Sequence, residues 1–155
     1  MAEIVAYRGQ VIKVDKEDLK ELKKYNWYIG SPGYAVGHVN KKLISMHRLL
    51  LGAISGEKVD HKNRVKTDNR KANLRKCTTS QNAMNKVSTS GKSKYKGVHF
   101  NKYHNKWRSN IRLNHKRILL GYFDDEESAA LEYNKAAKKY FGEFALLNVI
   151  DEHSQ

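Results

Sequence analysis

The stretch Val87–Lys94 (VSTSGKSK) interrupts the chain with small polar and basic side chains and has no apolar periodicity. This composition is typical of a flexible linker. The 155 residues suffice for one ordinary domain or two small ones, and a hydrophobic fraction of 39% with a mean hydropathy of −0.77 provides only a thin core for that length. We therefore predict two compact modules, residues 1–88 and 95–150, joined by a linker at residues 89–94.

The composition excludes several classes of protein. An aromatic fraction of 10% is too high for a disordered chain. No apolar run approaches the roughly 18 residues of a membrane-spanning helix, and Met1–Tyr7 lacks the pattern of a signal peptide. The single cysteine, Cys77, excludes a disulfide framework and every zinc site built on paired cysteines. We expect a cytoplasmic monomer that contacts no membrane and needs no obligate protein partner.

Basic residues are concentrated in two tracts of this chain, whose net charge is +14. Residues 58–76 hold eight basic and two acidic side chains, and residues 86–117 hold ten basic and no acidic ones, with aromatic residues between them. The sign reverses in residues 118–155, with three basic and eight acidic residues. A surface that only confers solubility mixes its signs, so such tracts indicate binding to a polyanion. An acidic membrane is the alternative, but the tracts contain no basic amphipathic helix.

Periodicity and turn residues predict mixed helices and strands in the first module. A helix is expected over Asp15–Tyr25, with Asp15 as its cap and Leu19 and Leu22 as its buried stripe. Short strands are expected at Tyr25–Ile29, Tyr34–Val39 and Lys42–Ser45, and a helical turn at Met46–Leu51. Residues 57–86 should form a strand ending in Asp60-His61, a polar loop, a strand at Leu74–Thr78, and a helix opened by Thr79 or Ser80.

The second module is predicted to be three strands followed by one helix. The strands are expected at Tyr95–Phe100, Lys106–Arg112 and Lys116–Phe123, and the helix at Asp125–Phe141, with acids in its first turn and lysines in its last. One face of this helix is apolar and consists of Ala130, Tyr133, Ala137, Tyr140 and Phe141. The fold class is therefore α+β, with a three-stranded antiparallel sheet packed on one helix in the second module. The polyanion should lie on the open, basic face of that sheet.

Asp60 and His61 lie at the end of a predicted strand within the first basic tract. Phosphodiester hydrolysis needs a base to activate water, a cation to stabilise charge on the phosphate, and a group that holds the base in its tautomer. Neighbouring side chains of a strand point to opposite faces, so His61 could face water while Asp60 faces a cation. With the amide oxygen of Asn82, Asp60 forms a hard ligand set suited to Mg²⁺ or Mn²⁺. An Asp-His dipeptide alone is also compatible with an ordinary surface histidine.

A series of short motifs lies within residues 20–86. The motifs are Met46-His47-Arg48-Leu49, Val59-Asp60-His61-Lys62-Asn63, Asp68-Asn69-Arg70, Asn73-Leu74-Arg75 and Gln81-Asn82. Together they resemble the HNH endonucleases of phage and intron-homing type. The resemblance implies a ββα-metal fold in which Asp60 and Asn82 hold one divalent cation. It also implies that His61 is the general base and that Asn73 fixes the geometry around it, so the catalytic set is His61, Asn73 and Asp60. The sequence departs from the commoner pattern at Asn82, where most members have histidine.

Four further residues of the first module are candidates for contact with DNA. His47 and Arg48 also match the family, and their role is either phosphate contact or packing. Arg64 and Arg70 lie in the polar loop that follows the Asp-His pair. Arginine side chains in such a loop suit phosphate oxygens.

The second module contains motifs that run from Ser93-Lys94-Tyr95-Lys96-Gly97-Val98 through Leu120-Gly121-Tyr122-Phe123-Asp124 to Leu147-Asn148. They resemble the ethylene-response-factor (Apetala-type) DNA-binding domain, which also occurs fused to phage HNH nucleases. In that family the sheet lies in the major groove of duplex DNA. The resemblance implies DNA contacts by Lys96, His99, Asn101, Tyr103, Trp107, Asn110, Arg112 and Arg117. Trp107 could equally be a core aromatic, and several positions differ from the plant domains, so their base preference does not transfer.

Together these patterns predict a site-directed, metal-dependent DNA endonuclease acting in a bacterial or phage-infected cytoplasm. The first module would cut and the second would select the site on double-stranded DNA. The alternative is a non-catalytic DNA-binding regulator, which would have little reason to keep an acid at Asp60 in a basic tract. An RNA-binding protein is a third reading, since aromatic residues between basic ones also suit base stacking.

Overall fold

The computed structural model describes residues 1–87 and 92–150, so residues 88–91 of the predicted linker lie outside the described chain. The chain divides into two compact units, Met1–Asn82 and Ala83–Gln155. Helices and mainly antiparallel strands occur in separate segments, which confirms the α+β class. None of the helices in the described ranges has the length and apolar character needed to cross a membrane.

The first unit is built from short strands that pair with their neighbours in sequence. Strands β1 and β2 form an antiparallel hairpin, β3, β4 and β5 form a three-stranded antiparallel sheet, and β6 pairs antiparallel with β7. The strands are β1 (Ala2–Val5), β2 (Val11–Val14), β3 (Trp27–Gly30), β4 (Tyr34–Val39), β5 (Lys42–Ser45), β6 (Lys58–His61) and β7 (Leu74–Cys77). The helices are α1 (Leu19–Leu22), α2 (Met46–Leu50) and α3 (Thr79–Met84), the last of which crosses the unit boundary.

The core of the first unit lies between the β1–β2 hairpin, the β3–β4–β5 sheet and helices α1 and α2. Ile12 and Val14 are fully buried because β2 alternates exposed and buried residues. Trp27 packs among them, and its indole Nε1 donates a hydrogen bond of 2.8 Å to the carbonyl oxygen of Leu22. This bond ties α1 to the sheet and satisfies a polar group that burial would otherwise penalise.

Several elements of the first unit follow the predicted pattern and others depart from it. The strands at Tyr34–Val39 and Lys42–Ser45 are confirmed, and the helical turn at Met46–Leu51 forms as α2. The predicted strand at Tyr25–Ile29 begins two residues later, at Trp27. The β1–β2 hairpin was not predicted, because four-residue alternations around Tyr7-Arg8-Gly9 provide too short a periodic signal.

The helix predicted over Asp15–Tyr25 is α-helical only at Leu19–Leu22. Single hydrogen-bonded turns flank it on both sides. In one the backbone N–H of Asp18 donates to the Asp15 carbonyl oxygen, and in the other the backbone N–H of Tyr25 donates to the Leu22 carbonyl oxygen. Asp15 does not cap the helix, because its carboxylate accepts a 2.8 Å hydrogen bond from the backbone N–H of Lys71 instead. The long-range hydrogen bond from Lys71 thus replaces the local helix cap that Asp15 was predicted to form.

In the second unit, β8 (Val98–Asn101), β9 (Lys106–Leu113) and β10 (Lys116–Phe123) form an antiparallel sheet with β9 in the centre. Helix α4 (Glu126–Phe141) packs on one face of this sheet. Its predicted start is confirmed, since the Asp125 carboxylate accepts hydrogen bonds of 2.6 Å from the backbone N–H and 2.7 Å from the hydroxyl of Ser128. The predicted apolar face is buried except for Tyr140, which is 39% exposed beside Lys139.

Strand β8 starts three residues later than predicted because the chain turns at Gly97, whose φ is +80°. The backbone N–H of Asn110 donates to the Gly97 carbonyl at 2.9 Å, so the turn is bonded to the central strand. A Cβ at Gly97 would lie 2.1 Å from Cδ2 of Tyr133 and 2.7 Å from the carbonyl oxygen of Asn110. Only glycine fits here, because both the left-handed backbone and the close approach exclude a side chain.

Gly97→Ala should therefore lower the free energy of unfolding of the second unit by more than about 3 kcal/mol, combining backbone strain with overpacking. The control is Gly142→Ala, at a φ of +52° with no atom within 4 Å of the added Cβ. This control should cost only about 1 kcal/mol of backbone strain. Urea unfolding of both variants measures the difference, and equal losses would show that the turn is not tightly packed.

Candidate active site and nucleic-acid interface

His61 lies at the end of β6, and its side chain is buried rather than turned to water, contrary to the prediction. Its ring packs against two others, with centroid distances of 5.1 Å to His47 and 5.8 Å to Tyr34. His47 comes from α2 and Tyr34 from β4, so the imidazole is enclosed by two other elements of the unit. Burial of this kind favours the neutral form of an imidazole.

The side chain that contacts the Nε2 atom of His61 is Asn69. The Nε2 atom of His61 lies 3.4 Å from the Oδ1 atom of Asn69, which is completely buried. The Asn69 amide is oriented by a long contact of 3.5 Å from its Nδ2 to the carbonyl oxygen of Lys66. Because Oδ1 can only accept, this contact is a hydrogen bond when Nε2 of His61 carries the proton, and Nδ1 is then the basic nitrogen. The sequence contained Asn69 within a motif, but spacing gave no indication of this role.

The pKa of His61 is lowered from its ordinary value, chiefly because burial penalises the charged ring. The bond to Asn69 and the carboxylates of Asp60 and Asp68 act in the opposite direction, and Lys66 adds to the lowering. A neutral imidazole at pH 7 can accept a proton, as a general base must.

Asn73 acts on the loop between β6 and β7 rather than directly on the imidazole. Its Oδ1 accepts a 3.0 Å hydrogen bond from the backbone N–H of Asn63, and its Nδ2 donates at 2.7 Å to the carbonyl oxygen of Asp68. The backbone N–H of Lys62 also donates at 2.8 Å to the Asn73 carbonyl. Asn73 therefore joins the start and the end of the loop that carries Asn69.

The two predicted loop arginines have different surroundings. Arg70 donates from Nε and Nη2 to the two carboxylate oxygens of Asp68, at 2.7 and 2.6 Å, and lowers the pKa of that acid. Asn63 adds a 2.8 Å bond from its Nδ2 to the same carboxylate. Arg70 is thus committed to holding the loop, whereas Arg64 is an exposed residue with a positive φ of 65°. Arg64 is the better placed of the two for contact with a phosphate.

Asp60 is buried and faces Arg75, its partner across the β6–β7 pair. The Nη2 and Nε atoms of Arg75 lie 2.8 and 3.0 Å from Oδ2 of Asp60, and both side chains are about nine-tenths buried, with 10% and 9% exposed. The sequence analysis predicted that Asp60 faces a metal cation on this side of the strand. The structure places a guanidinium there, so the presence of an acid in the basic tract does not by itself require a metal.

Asn82 lies on α3, which follows β7 directly. The helix begins at Thr79, as predicted, and Thr78 caps it: the Oγ1 of Thr78 accepts from Gln81 N at 3.1 Å while Gln81 Oε1 accepts from Thr78 N at 2.8 Å. The Asn82 side chain is partly exposed and makes no hydrogen bond to the described residues. The carboxylate of Asp60 and the amide of Asn82 are hard oxygen donors that match Mg²⁺. Within residues 1–87 and 92–150, no cluster of three or more His, Cys, Asp or Glu side chains is arranged to hold a metal.

His47 and Arg48 are neighbours on α2 with different environments. Arg48 donates to the carbonyl oxygens of Glu57, of Ala53 at 3.3 Å and of Ile54 at 2.8 Å, and so fixes the turn that precedes β6. Of the two predicted roles, phosphate contact and packing, Arg48 therefore has the packing role. The His47 ring is buried between Tyr34 and His61, and burial, with the charges of His61 and Arg48, lowers its pKa to about 4.

The open face of the second-unit sheet follows from its register. Residues that contact α4 include Val98, Ile111 and Ile118, so the alternate residues of each strand point away from the helix. On this face, His99 lies opposite Arg108, Asn110 opposite Leu119, and Arg112 opposite Arg117. The predicted contacts on this face are His99, Asn101, Asn110, Arg112 and Arg117. The prediction omitted Arg108 and Tyr122, which strand alternation places beside them.

Three predicted contacts of the second unit lie elsewhere. Trp107 is on the helix side, where it packs against the Tyr95 cluster with its ring 5.2 Å from Phe100, as in the core alternative. The ammonium of Lys96 donates to the carbonyl oxygens of Met84, the last residue of α3, and of Lys86. Tyr103 is at the β8–β9 turn and is 91% exposed. Tyr103 remains available to a ligand, whereas Trp107 contributes to the core.

The β6–β7–α3 segment matches a known protein family. A family model for HNH endonucleases matches residues 51–84, which contain Asp60, His61, Asn73 and Asn82. An uncharacterised HNH endonuclease of Acanthamoeba polyphaga mimivirus is 34% identical over 136 residues, which cover 84% of this chain and 70% of the relative. The chain belongs to the HNH endonuclease family. The similarity to this family member is longer than either unit, so it extends over both.

The buried Asp60–Arg75 pair predicts a large cost for Asp60→Asn. Removing one charge leaves the guanidinium of Arg75 buried without its counter-charge, which typically lowers the free energy of unfolding by about 3–5 kcal/mol. The control is Glu57→Gln, because Glu57 pairs with Lys76 at 3.0 Å but both side chains are much more exposed. That variant should cost at most about 1 kcal/mol. Equal losses in urea unfolding at pH 7 would contradict the structural role of the pair.

Proposed function

We propose that the protein is a divalent-metal-dependent DNA endonuclease in which His61 is the general base. The observation that supports this most strongly is the buried imidazole whose Nε2 is held by Asn69, inside a segment matched by the HNH endonuclease family. In this state the Nδ1 atom of His61 can take a proton from the water that attacks the phosphorus. The 3′ or 5′ oxygen of the broken ester leaves as the new P–O bond forms.

Asp60 and Asn82 would hold the metal ion, Mg²⁺ or Mn²⁺. When bound, such an ion supplies positive charge next to the phosphate and its leaving oxygen. The role of Arg75 is to orient the Asp60 carboxylate, since two nitrogens of its guanidinium engage the same oxygen. Asn73 keeps the loop closed so that Asn69 stays in contact with His61.

His61→Ala should abolish cleavage of supercoiled DNA while its affinity for DNA changes by less than about threefold, since a general base contributes to the rate and not to binding. In the unmodified protein the rate should rise with pH through a midpoint below the ordinary histidine value of 6.5, because the pKa of His61 is lowered. EDTA should stop cleavage and Mg²⁺ or Mn²⁺ should restore it.

The control variant is Lys58→Ala, at the exposed start of the same strand. Loss of DNA affinity in His61→Ala equal to its loss of cleavage would make His61 a binding or folding residue. Cleavage that persists in EDTA would remove the metal from the mechanism.

We further propose that the second unit directs the nuclease to its site, as in homing-type enzymes, by placing its open sheet face in the major groove. Arg112 and Arg117 support this, since they lie directly opposite each other and are both exposed. Like charges at such a position repel each other, and a DNA phosphate relieves this repulsion. Asn110 and Arg108 lie on the same sheet face, and amide and guanidinium groups are the side-chain types that read base edges.

A double variant, Arg112→Ala with Arg117→Ala, tests the open face. It should weaken DNA binding at least about tenfold and reduce the slope of log affinity against log salt by about 2, one per lost phosphate contact. The matched control, Lys138→Ala with Lys139→Ala, removes the same charge from exposed positions of α4. Equal effects of the two double variants on filter binding would show that only net charge matters and that the sheet face is not the interface.

A non-catalytic DNA-binding regulator is the second candidate, because Arg75 already neutralises Asp60 without a metal. The two candidates differ in their products. An endonuclease converts supercoiled DNA into nicked or linear forms in Mg²⁺, whereas a regulator binds the DNA and leaves it supercoiled.

A further inference from the structure

The end of strand β2 is paired with the polar loop between β6 and β7. Lys13 and Asp68 form a parallel bridge between them. In this bridge the backbone N–H of Lys13 donates at 2.9 Å to the carbonyl oxygen of Thr67, and the backbone N–H of Asn69 donates at 2.8 Å to the carbonyl oxygen of Lys13. The backbone of Asn69 is therefore fixed by a strand that lies far away in the sequence.

Asp15, two residues after the bridge, contacts the same loop through its side chain. Its Oδ2 atom accepts the 2.8 Å hydrogen bond from the backbone N–H of Lys71. A bond between an amide and a carboxylate is charge-assisted and is therefore stronger than one between neutral groups. The start of α1, which Asp15 was predicted to cap, has no side-chain hydrogen bond from its N-cap Asp18 to the described residues. The carboxylate of Asp15 thus binds the loop and not the helix.

The side chain of Asn69 depends on its backbone for its position. Its two side-chain contacts are long, 3.4 Å from Oδ1 to Nε2 of His61 and 3.5 Å from Nδ2 to the carbonyl oxygen of Lys66. Both exceed the usual hydrogen-bond range of about 2.7–3.2 Å. The backbone bonds at residues 69 and 71 have normal lengths. Since long contacts cannot by themselves fix an amide, the distance between Asn69 and the imidazole follows from the backbone anchors at Lys13 and Asp15.

We propose that Asp15 is a positioning residue for the proposed general base. Its carboxylate holds the backbone at Lys71, and this keeps the Asn69 amide in contact with Nε2 of His61. The inference rests on the nuclease function proposed above, in which His61 accepts a proton through Nδ1. Asp15 acts through Asn69 and takes no part in the chemistry itself, so its loss should slow cleavage without changing the affinity for DNA.

Two substitutions at Asp15 of the full-length protein test the carboxylate. Asp15→Ala removes the acceptor, whereas Asp15→Asn keeps a neutral oxygen at the same place and should retain the bond in a weaker form. A small misplacement of a catalytic group can slow a reaction by up to about 100-fold. In single-turnover cleavage of supercoiled DNA in Mg²⁺, we expect Asp15→Ala to be about 10–100-fold slower than the unmodified protein and Asp15→Asn to be slower by less than about fivefold.

Two substitutions at Lys71 test the same bond from the donor side. Lys71 is the first residue of a short 3₁₀ helix, Lys71–Asn73, and the preceding Arg70 has a φ of −65° and a ψ of 136°, a conformation that suits a residue before proline. Lys71→Pro therefore removes the N–H with little backbone strain. The matched control is Lys71→Ala, which loses the same ammonium group and keeps the N–H. We expect Lys71→Pro to cut at least about tenfold more slowly than Lys71→Ala.

Proton–nitrogen-15 correlation spectra of the variants without DNA separate positioning from a general loss of stability. At about pH 7.5, where an unperturbed imidazole is mostly neutral, the unmodified protein, Asp15→Asn and Lys71→Ala should show the His61 proton on Nε2. Asp15→Ala and Lys71→Pro should show a mixture with the form protonated on Nδ1. Thermal unfolding of each variant confirms that the spectra come from folded protein.

Two results would overturn the proposal directly. One is cleavage by Asp15→Ala within about threefold of the unmodified rate, and the other is a His61 spectrum that does not change in Asp15→Ala and Lys71→Pro. Equal losses of rate in Asp15→Ala and Asp15→Asn would also contradict it, since the hydrogen bond would then be irrelevant. If Asp15→Ala does not fold, the two Lys71 variants decide. If the unmodified protein does not cut DNA, the proposed function is wrong, and the spectra alone decide whether Asp15 positions His61.

Discussion

The first unit depends on the hydrogen bonds that close the polar loop between β6 and β7. This loop has almost no apolar side chains to bury, so the hydrophobic effect cannot fix it. Asn73 joins its two ends through backbone groups of Asn63 and Asp68, and the Arg70–Asp68 pair closes it further. Because Asn69 lies between these anchors, its amide is held against the imidazole of His61. The position of the His61 imidazole thus follows from this hydrogen-bond network of the loop. The network permits few other loop conformations, since each of its buried polar atoms needs a partner.

Burial determines the chemistry of both histidines in this unit. The rings of His47, His61 and Tyr34 exclude water from one another, and the low pKa values of the two imidazoles follow from this. A buried neutral histidine costs stability in acid, because its pKa in the unfolded chain is higher than in the fold. The contribution is complete above about pH 6.5 and is lost as the pH falls toward the lowered values. The burial that keeps both imidazoles neutral near pH 7 therefore lowers the free energy of unfolding of this unit in acid.

Local patterns in the sequence predicted local structure well. Asp125 before an amphipathic run indicated the start of α4, and alternation with turn residues indicated β4, β5, β9 and β10. What the sequence could not show depends on contacts between distant residues. Asp15 bonds to Lys71 instead of capping α1, and Asp60 meets Arg75 across a strand pair whose register no spacing reveals. The same reason explains why Asn73 was recognised as a site residue while Asn69, which contacts the base itself, was not.

The central claim is that His61 is a neutral base at physiological pH with its proton on Nε2. Long-range proton–nitrogen-15 correlation spectra of the full-length protein, recorded between about pH 5 and 8, report both the tautomer and the pKa of each imidazole. The account predicts a protonated Nε2, an unprotonated Nδ1, and a titration midpoint below the ordinary value of 6.5 for His61. A proton on Nδ1, or a midpoint above that value, would contradict it.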